Sequence, residues 1–297
     1  MDVIEKVERK DERGNTIQYS LYKGFVFPPV ISSNIRDLVI NTAQLKCRQD
    51  DVLLYTYPKC GTHWMYNILR MFLTGNLTYA GTPVYLEFFD IDVINNMQSP
   101  RLFATHLELD LLPDDMKNGI GTVVNIIRNP KDAAVSYYCF LTSLKNVGFT
   151  GGFDGFLNFF LKDEFFFGNW FAVIKDWLDI KKKYPKMRTL MLYYEDLKRN
   201  TLSNLERVQE FLGITSDKDF CKKVMACTDF TTMKQKHKEE SKSIQEFKDF
   251  SEDGVLPVYR KGEIGDWKRW FTPEQSQHFD LIYKEKMQGY DVDIVFE

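Results

Sequence analysis

The sequence predicts an α/β fold in which a mostly parallel central sheet is flanked by helices. Four short runs of apolar and β-branched residues read as buried strands, at 52–57, 101–106, 122–127 and 189–194. Helically spaced apolar residues follow the first and third of these runs, at 64–73 and 133–144. Polar residues stand where the strands end, the edge at which α/β sheets bind ligands. Residues 1–297 are expected to form one such domain.

Length and composition exclude several classes of protein. The chain has 297 residues, of which 44% are hydrophobic, enough for a large core. A net charge of −3 argues against general nucleic-acid binding. No apolar stretch approaches the ~18 residues of a membrane span, and the N-terminus is charged, so a cytoplasmic protein without membrane partners is expected. Five scattered cysteines, none with metal-site spacing, predict free thiols and no metal.

A strand-loop-helix at residues 52–73 is predicted to bind phosphate. Its loop reads PKCGT, and the first amides of a helix attract anions. Gly61 lets the backbone approach the anion, Lys59 adds a positive charge, and Thr62 adds a hydroxyl. The alternative is an ordinary turn with a surface lysine. The chain has no Gly-Lys dipeptide, which argues against the magnesium-dependent cradle of nucleoside triphosphatases.

Five motifs along nearly the whole chain resemble, in order, those of the cytosolic sulfotransferases. They are TYPKCGTHW (56–64), ATHLEL (104–109), RNPKDAAVSYY (128–138), YYED (193–196) and RKGEIGDWK (260–268). The resemblance implies that 3′-phosphoadenosine 5′-phosphosulfate (PAPS) donates a sulfuryl group to the hydroxyl of a small apolar acceptor, expected to be phenolic. The product would be 3′-phosphoadenosine 5′-phosphate (PAP). The alternatives are an ATP-dependent small-molecule kinase and a non-catalytic relative that binds the cofactor or a hydrophobic ligand.

The resemblance implies a cofactor site assembled from distant parts of the chain. Arg128 and Ser136 would bind the 3′-phosphate, which suits the forked donors of a guanidinium. Without the neighbouring motifs, these two residues would be read as a surface ion pair and a helix hydroxyl. The implied cofactor-binding residues are Lys59, Cys60, Gly61, Thr62, His63, Trp64, Arg128, Ser136, Tyr194, Thr228, Phe230, Arg260, Lys261 and Gly262.

Lys59 and His106 are the implied catalytic residues. His106 would accept the proton of the acceptor hydroxyl, and Lys59 would neutralise charge on the departing oxygen. From the residues alone, a structural histidine is the alternative for His106. The implied acceptor-binding residues are Phe25, Phe27, Phe88, Phe89, His106 and Phe140. Plain core packing is the alternative for Phe25 and Phe27.

The chain departs from the family motifs at three places. His63 stands where a second threonine is usual, and an imidazole with a pKa of about 6.5 is expected to raise cofactor affinity as pH falls through roughly 6 to 7. Ala104 replaces a lysine beside the base, which predicts a preference for phenols and a gain in turnover with Ala104→Lys, larger for alcohols. Pro273 and Gln277 degrade the dimer motif, so a monomer, or a dimer through another surface, is expected.

Residues 234–254 form the most polar stretch of the chain and show no clear periodicity. A solvated loop is therefore expected there. A lid that closes over the cofactor is the alternative.

Overall fold

A four-stranded parallel sheet lies at the centre of the fold. The computed structural model describes residues 3–31, 34–145, 147–163, 165–215, 217–242, 244, 249, 251 and 254–297. The four strands are β4 (Val52–Thr56), β5 (Leu102–Thr105), β6 (Thr122–Ile127) and β8 (Thr189–Tyr193). They lie in the order β5-β4-β6-β8 across the sheet. Strands β4, β5 and β6 are buried along their whole length, which explains their continuous apolar sequences. The predicted α/β class and parallel sheet are confirmed, whereas the single domain stays a prediction.

Helices cover both faces of this sheet. The α-helices are α1 (Ile35–Gln44), α2 (Thr62–Thr74), α3 (Ile91–Asn95), α4 (Asp114–Lys117), α5 (Pro130–Thr142), α6 (Phe153–Phe160), α7 (Trp170–Leu178), α8 (Ile180–Lys183), α9 (Tyr194–Arg199), α10 (Thr201–Leu212), α11 (Lys218–Cys227), α12 (Phe230–Ser241) and α13 (Pro273–Lys286). Short 3₁₀ turns occur at Pro29–Ile31, Leu109–Leu111 and Asp266–Arg269.

Alternate residues of the central strands contribute to two separate apolar cores. Leu53 and Tyr55 of β4 belong to the larger core, which also contains residues of α5, α6 and α7. Leu54 belongs to the second core, which contains residues of α2, α10 and α11. The two-residue period of a strand produces this division. An ion pair at 2.5 Å between Arg101 and Asp51, both fully buried, closes the N-terminal end of the sheet.

A second, antiparallel sheet was not predicted from the sequence. It contains β1 (Glu5–Lys10), β2 (Thr16–Tyr22) and β3 (Phe25–Phe27), and β7 (Phe149–Thr150) pairs with β2. Strand β1 is an edge strand with five of its six residues exposed, so it lacks the apolar alternation that usually reveals a strand.

Helix α12 corrects the expectation of a loop that begins at residue 234. The buried residues of this helix are Met233, His237 and Ser241. They recur every four residues and form a stripe one residue wide, and two of the three are polar. The helix therefore has a buried face without an apolar periodicity that the sequence could reveal. Much of 242–254 lies outside the described residues.

Candidate active site

The loop that joins β4 to α2 has a backbone conformation that is rare outside glycine. Lys59 and Gly61 have φ angles of 69° and 103°. A Cβ atom on Gly61 would lie 3.1 Å from Cδ2 of Tyr194, so both the backbone angle and the close ring favour glycine. Arg128 Nη1 donates to the carbonyl oxygen of Lys59 at 2.9 Å. The loop is thereby held against its neighbours just before the N-terminus of α2.

Lys59 lies in an environment that disfavours its positive charge. Burial is the largest cause that lowers the pKa of Lys59 to about 7, and repulsion from Arg128 and Arg260 adds to this effect. Its Nζ lies 4.0 Å from the centroid of the Phe140 ring. A bound anion would relieve the repulsion among the three cations, so the loop is suited to a phosphate ligand.

His106 follows the last residue of β5 and is held in a defined tautomer. Its Nδ1–H donates to the carbonyl oxygen of Thr56 at 2.8 Å, which leaves the lone pair on Nε2. Burial lowers the pKa of His106 to about 4, so the ring is neutral near pH 7. The geometry therefore provides a neutral imidazole with one unprotonated nitrogen, as a general base requires.

Glu87 fixes the backbone at this strand end. Its carboxylate accepts from the backbone N–H of His106 and from the hydroxyl of Thr105, both at 2.8 Å. Burial raises the pKa of Glu87 to about 7. Glu87 was not predicted from the sequence as a site residue. A carboxylate inside the aromatic run YLEFF was the available signal, because an acid among apolar residues must find donors when it is buried.

Two cations near the C-terminus are arranged around a buried carboxylate. Arg260 and Lys261 each lie 2.6 Å from Asp266. Asp132, at the start of α5, accepts from the backbone amides of Gly265 and Trp267 at 2.7 and 2.9 Å. These contacts attach the 260–267 segment to the helix that carries Ser136.

Aromatic side chains also lie beside the phosphate loop, where Tyr194 approaches Gly61. The Arg128 guanidinium lies 4.4 Å from the centroid of Tyr194, and the ring of Trp64 meets Tyr194 edge-on at 5.9 Å. Thr228, at the end of α11, donates its hydroxyl to a carbonyl of the same helix, and Phe230 begins α12. Lys198, whose Nζ lies 5.5 Å from the Trp64 ring centroid, was also not predicted from the sequence.

One cavity of about 1570 Å³ brings most of the predicted residues together. Its lining includes every predicted cofactor-binding residue except Cys60, and also His106, Phe88, Phe89 and Phe140. The lining includes the cations described above, which we call the cationic wall, and mostly apolar residues at 28–31, 85–91, 140, 141, 144, 145, 147 and 166–167, which we call the apolar wall. The volume exceeds the roughly 300–1,000 Å³ of a pocket for one drug-sized ligand, so there is room for two.

Three predicted binding residues lie outside the cavity lining. The side chain of Cys60 is fully buried, and its Sγ donates to the carbonyl oxygen of Pro58, so only its backbone could serve a ligand. Phe27 is buried in the larger core, and Phe25 packs against that core. Both phenylalanines belong to β3, whose pairing with β2 directs them into packing. Their expected role in acceptor binding is therefore corrected to a role in the core.

The expectation that His63 titrates between pH 6 and 7 is also corrected. Burial, with further repulsion from His237 and Lys59, lowers the pKa of His63 well below 6.5. The ring lies among those of Tyr85, His237 and Tyr259, at 5.8–6.3 Å between centroids. A neutral imidazole cannot supply the expected attraction for phosphate near pH 6.5.

Ala104 lies in the second apolar core and does not line the cavity. Its backbone N–H and carbonyl pair with Val84 and Leu86. A lysine at this position would place an ammonium group in an apolar core, at a cost of several kcal/mol. The burial of this position adds an expected loss of stability for Ala104→Lys, and the expected gain in turnover stays a prediction.

Within the described ranges, no group of three or more His, Cys, Asp or Glu side chains could hold a metal ion. The five cysteines, at positions 47, 60, 139, 221 and 227, are free. No helix in the described part of the chain is long and apolar enough to cross a membrane.

The chain is similar to known proteins over most of its length. The family profile described as "Sulfotransferase domain" matches residues 49–291. Mouse sulfotransferase 1A1 is 34% identical over 82% of this chain and 86% of its own length, and mouse sulfotransferase 2A1 is 30% identical over 92% and 96%.

Solved structures agree with this likeness. The crystal structure of mouse sulfotransferase SULT7A1 complexed with PAP has a TM-score of 0.74 and 28% identity, covering 96% of both chains. A retinol dehydratase complex, at 19% identity and a TM-score of 0.76 over 98% of this chain and 92% of its own, supports the fold alone. Because the family profile covers most of the chain and the two curated relatives share 30% identity or more, this protein belongs to the sulfotransferase family.

Proposed function

We propose that this sulfotransferase moves a sulfuryl group from PAPS to the hydroxyl of a small apolar acceptor, with phenols as the preferred class. The observation that carries the proposal is one cavity in which a cationic wall and an apolar wall are both present, together with Lys59 and His106. Lys59 contacts both walls, because it belongs to the phosphate loop and its Nζ lies over the ring of Phe140. The similarity to a structure complexed with PAP supports the same cofactor.

The residues of the cationic wall fit the charges of such a cofactor. The cavity lining includes Lys59, Arg128, Arg260 and Lys261. A bound anion would offset the repulsion of Lys59 by Arg128 and Arg260. Within the described residues, Nε of Arg128 and Nε of Arg260 are buried without a hydrogen-bond partner. Ser136 lies on the same wall. When bound, PAPS would supply the activated sulfuryl group, and no metal ion is required by this assignment.

His106 would accept the proton of the acceptor hydroxyl through Nε2. Its tautomer is fixed by Thr56, and its low pKa makes it a weak base. A weak base removes a proton more readily from an acidic hydroxyl, and phenols, with pKa values near 10, are far more acidic than alcohols. Lys59 would stabilise the negative charge that develops on the departing phosphate oxygen.

The test is transfer of ³⁵S-sulfate from labelled PAPS to phenol in the presence of EDTA. Turnover is expected in wild type, with losses of about 10²–10³ in kcat for Lys59→Met and for His106→Asn. No transfer from PAPS, together with magnesium-dependent phosphorylation from ATP, would favour a kinase. Binding of PAP without turnover would favour a non-catalytic relative.

We place the protein in the cytoplasm, because all five of its cysteines are free, as is usual in a reducing compartment.

We also propose that it is a monomer, or a dimer through a surface other than the family motif. Within that motif, the Thr272 hydroxyl accepts from the backbone N–H of Gln275 as the cap of α13. Light scattering at assay concentrations tests this assignment, and a dimer that dissociates with Lys268→Ala would contradict it.

A further inference from the structure

Five polar residues of the family motifs are buried but do not line the cavity. Each is 3% exposed or less, and the proposed cofactor would not touch their side chains. Burial of a charged group costs free energy unless the group has a partner. The contacts of these five residues connect two strand ends to the segment at 260–268. The residues are Asn129, Lys131, Asp132, Glu195 and Asp266.

Asp132 holds the backbone on both sides of Asp266. Its Oδ2 accepts from the backbone N–H of Gly265, and its Oδ1 accepts from that of Trp267. Neither neighbour of Asp266 can shift without breaking a charge-assisted hydrogen bond. The Asp266 carboxylate in turn pairs with both cations at 260–261. A shift of this backbone would therefore move the two cations.

Asp132 is itself held from the carboxyl ends of two strands. The side-chain amide of Asn129, two residues after β6, donates to Oδ2 of Asp132 at 3.1 Å, and its oxygen accepts from the Asp132 backbone N–H. The backbone N–H of Asn129 donates to Glu195, in the first turn of α9 after β8, at 3.0 Å. A displacement of Asp132 would therefore disturb α5, β6 and β8 together.

Lys131 holds Trp267 through its aromatic ring. Nζ of Lys131 lies 4.2 Å from the ring centroid of Trp267, a distance at which an ammonium group and an indole attract each other. The same Nζ donates to the hydroxyl of Ser276 at 2.8 Å and lies 2.7 Å from a carboxylate oxygen of Asp280. Two consecutive residues of α5 thus fix Trp267, one through its ring and the other through its backbone.

The segment held in this way lies beside the residues implied to bind the 3′-phosphate. Nη2 of Arg128 donates to the carbonyl oxygen of Glu263 at 3.4 Å. Asp132 and Ser136 are four residues apart in α5, so they lie on one face of the helix. The cations at 260–261 also line the cavity, and they are therefore attached close to Arg128 and Ser136.

We propose that Asp132 and Lys131 are positioning residues that preset the cations of residues 260–261 for the 3′-phosphate of the cofactor. The inference rests on the proposed function and adds to it two buried residues that do not touch the ligand. Cations held in place before binding lose less side-chain entropy when a phosphate arrives. Affinity for the 3′-phosphate should therefore depend on the contacts that hold the segment.

The experiment compares binding of PAP and of 5′-AMP, which lacks the 3′-phosphate, by calorimetry. Asp132→Asn keeps the shape of the side chain, but its NH₂ group cannot accept from a backbone N–H. Loss of one charge-assisted hydrogen bond to the segment should raise Kd for PAP about tenfold and leave Kd for 5′-AMP within about twofold of wild type. The ratio of Kd for 5′-AMP to Kd for PAP should thus fall about tenfold.

Asp11→Asn is the matched control. Asp11 also accepts from two backbone amides, those of Arg13 and Asn15 at 3.0 and 2.8 Å, but it does not line the cavity or contact the segment. This variant should leave the ratio unchanged. Equal losses of affinity for both nucleotides in Asp132→Asn would show a merely structural role and would overturn the proposal, as would an unchanged ratio.

Lys131→Met is a second variant, which decides the question if Asp132→Asn does not fold. It removes the ammonium group beside Trp267 and leaves Asp280, whose side chain is 57% exposed, in contact with water. The ratio should fall about threefold, because the ring of Trp267 loses its cation. An unchanged ratio in this variant would also overturn the proposal.

Failure of the proposed function gives a different result. A wild type that transfers sulfate from PAPS but binds PAP and 5′-AMP equally would refute the positioning role alone. A wild type that binds PAP more tightly than 5′-AMP without transferring sulfate would refute the proposed function, and the ratios in the variants would still decide the positioning role. A wild type that binds neither nucleotide would refute both.

Discussion

Binding of the cofactor should draw a proton onto Lys59. In the unliganded protein the pKa of Lys59 is about 7, so at pH 8 most molecules carry a neutral amine. A polyanion beside Nζ would restore the charge and raise that pKa towards the ordinary value for lysine, near 10.4. The group is thus protonated more in the complex than in the free protein. The contribution of Lys59 to cofactor affinity is fully present below pH 7 and is lost as pH rises towards the pKa that Lys59 has in the complex.

The size of this effect follows from the two pKa values. Between pH 7 and pH 9 the protonated fraction of free Lys59 falls from about one half to about one hundredth, so Kd for PAP should rise about 50-fold. Calorimetry at pH 8 in buffers of different ionisation enthalpy should show uptake of nearly one proton. Lys59→Arg, which keeps its charge over this range, is the matched control and should bind PAP with nearly constant affinity. The same steep decline in Lys59→Arg would refute the assignment, since another group would then be titrating.

Three further predictions concern Gly61 in the phosphate loop and the departures from the family motifs at His63 and Ala104. Gly61→Ala should lower the free energy of unfolding by about 1–2 kcal/mol, because alanine is strained at a φ of 103° and its Cβ would contact Tyr194. An unchanged midpoint of urea unfolding would contradict this. His63→Thr should leave the pH dependence of PAP affinity between pH 5.5 and 7 as it is in wild type, since His63 is already neutral; a slope lost in the variant would show that His63 titrates. Ala104→Lys should lower the free energy of unfolding by several kcal/mol, and a variant as stable as wild type would contradict this.

The central sheet could be predicted because three of its four strands are buried on both faces. Such strands are short apolar runs that polar loops interrupt, and three of the four predicted ranges end one residue beyond the observed strands. The antiparallel sheet could not be predicted in the same way. Its edge strand β1 is charged on both faces, and pairing with β2 specifies it more than any pattern of its own.

The two walls of the cavity differ in how much the sequence reveals of them. The cationic wall uses contiguous motifs with special backbone, such as Lys59 and Gly61, and these leave a local signature. The apolar wall uses phenylalanines, which occur equally in the core. Position in the fold separated Phe88 and Phe140, which line the cavity, from Phe25 and Phe27, which do not. A pattern of residue types cannot make that distinction, because both environments favour the same side chains.

The last residue of β4 links the two halves of the chemistry. The carbonyl oxygen of Thr56 fixes the tautomer of His106. The hydroxyl of Thr56 lies 2.6 Å from the hydroxyl of Thr62, which is the first residue of α2. A phosphate held at the start of α2 would therefore be positioned by the same strand end that orients the base. In the proposed reaction, the residues that act on the acceptor's proton and on the departing oxygen would lie on elements that cannot shift independently, because the buried pairing of β4 with β5 keeps them in register.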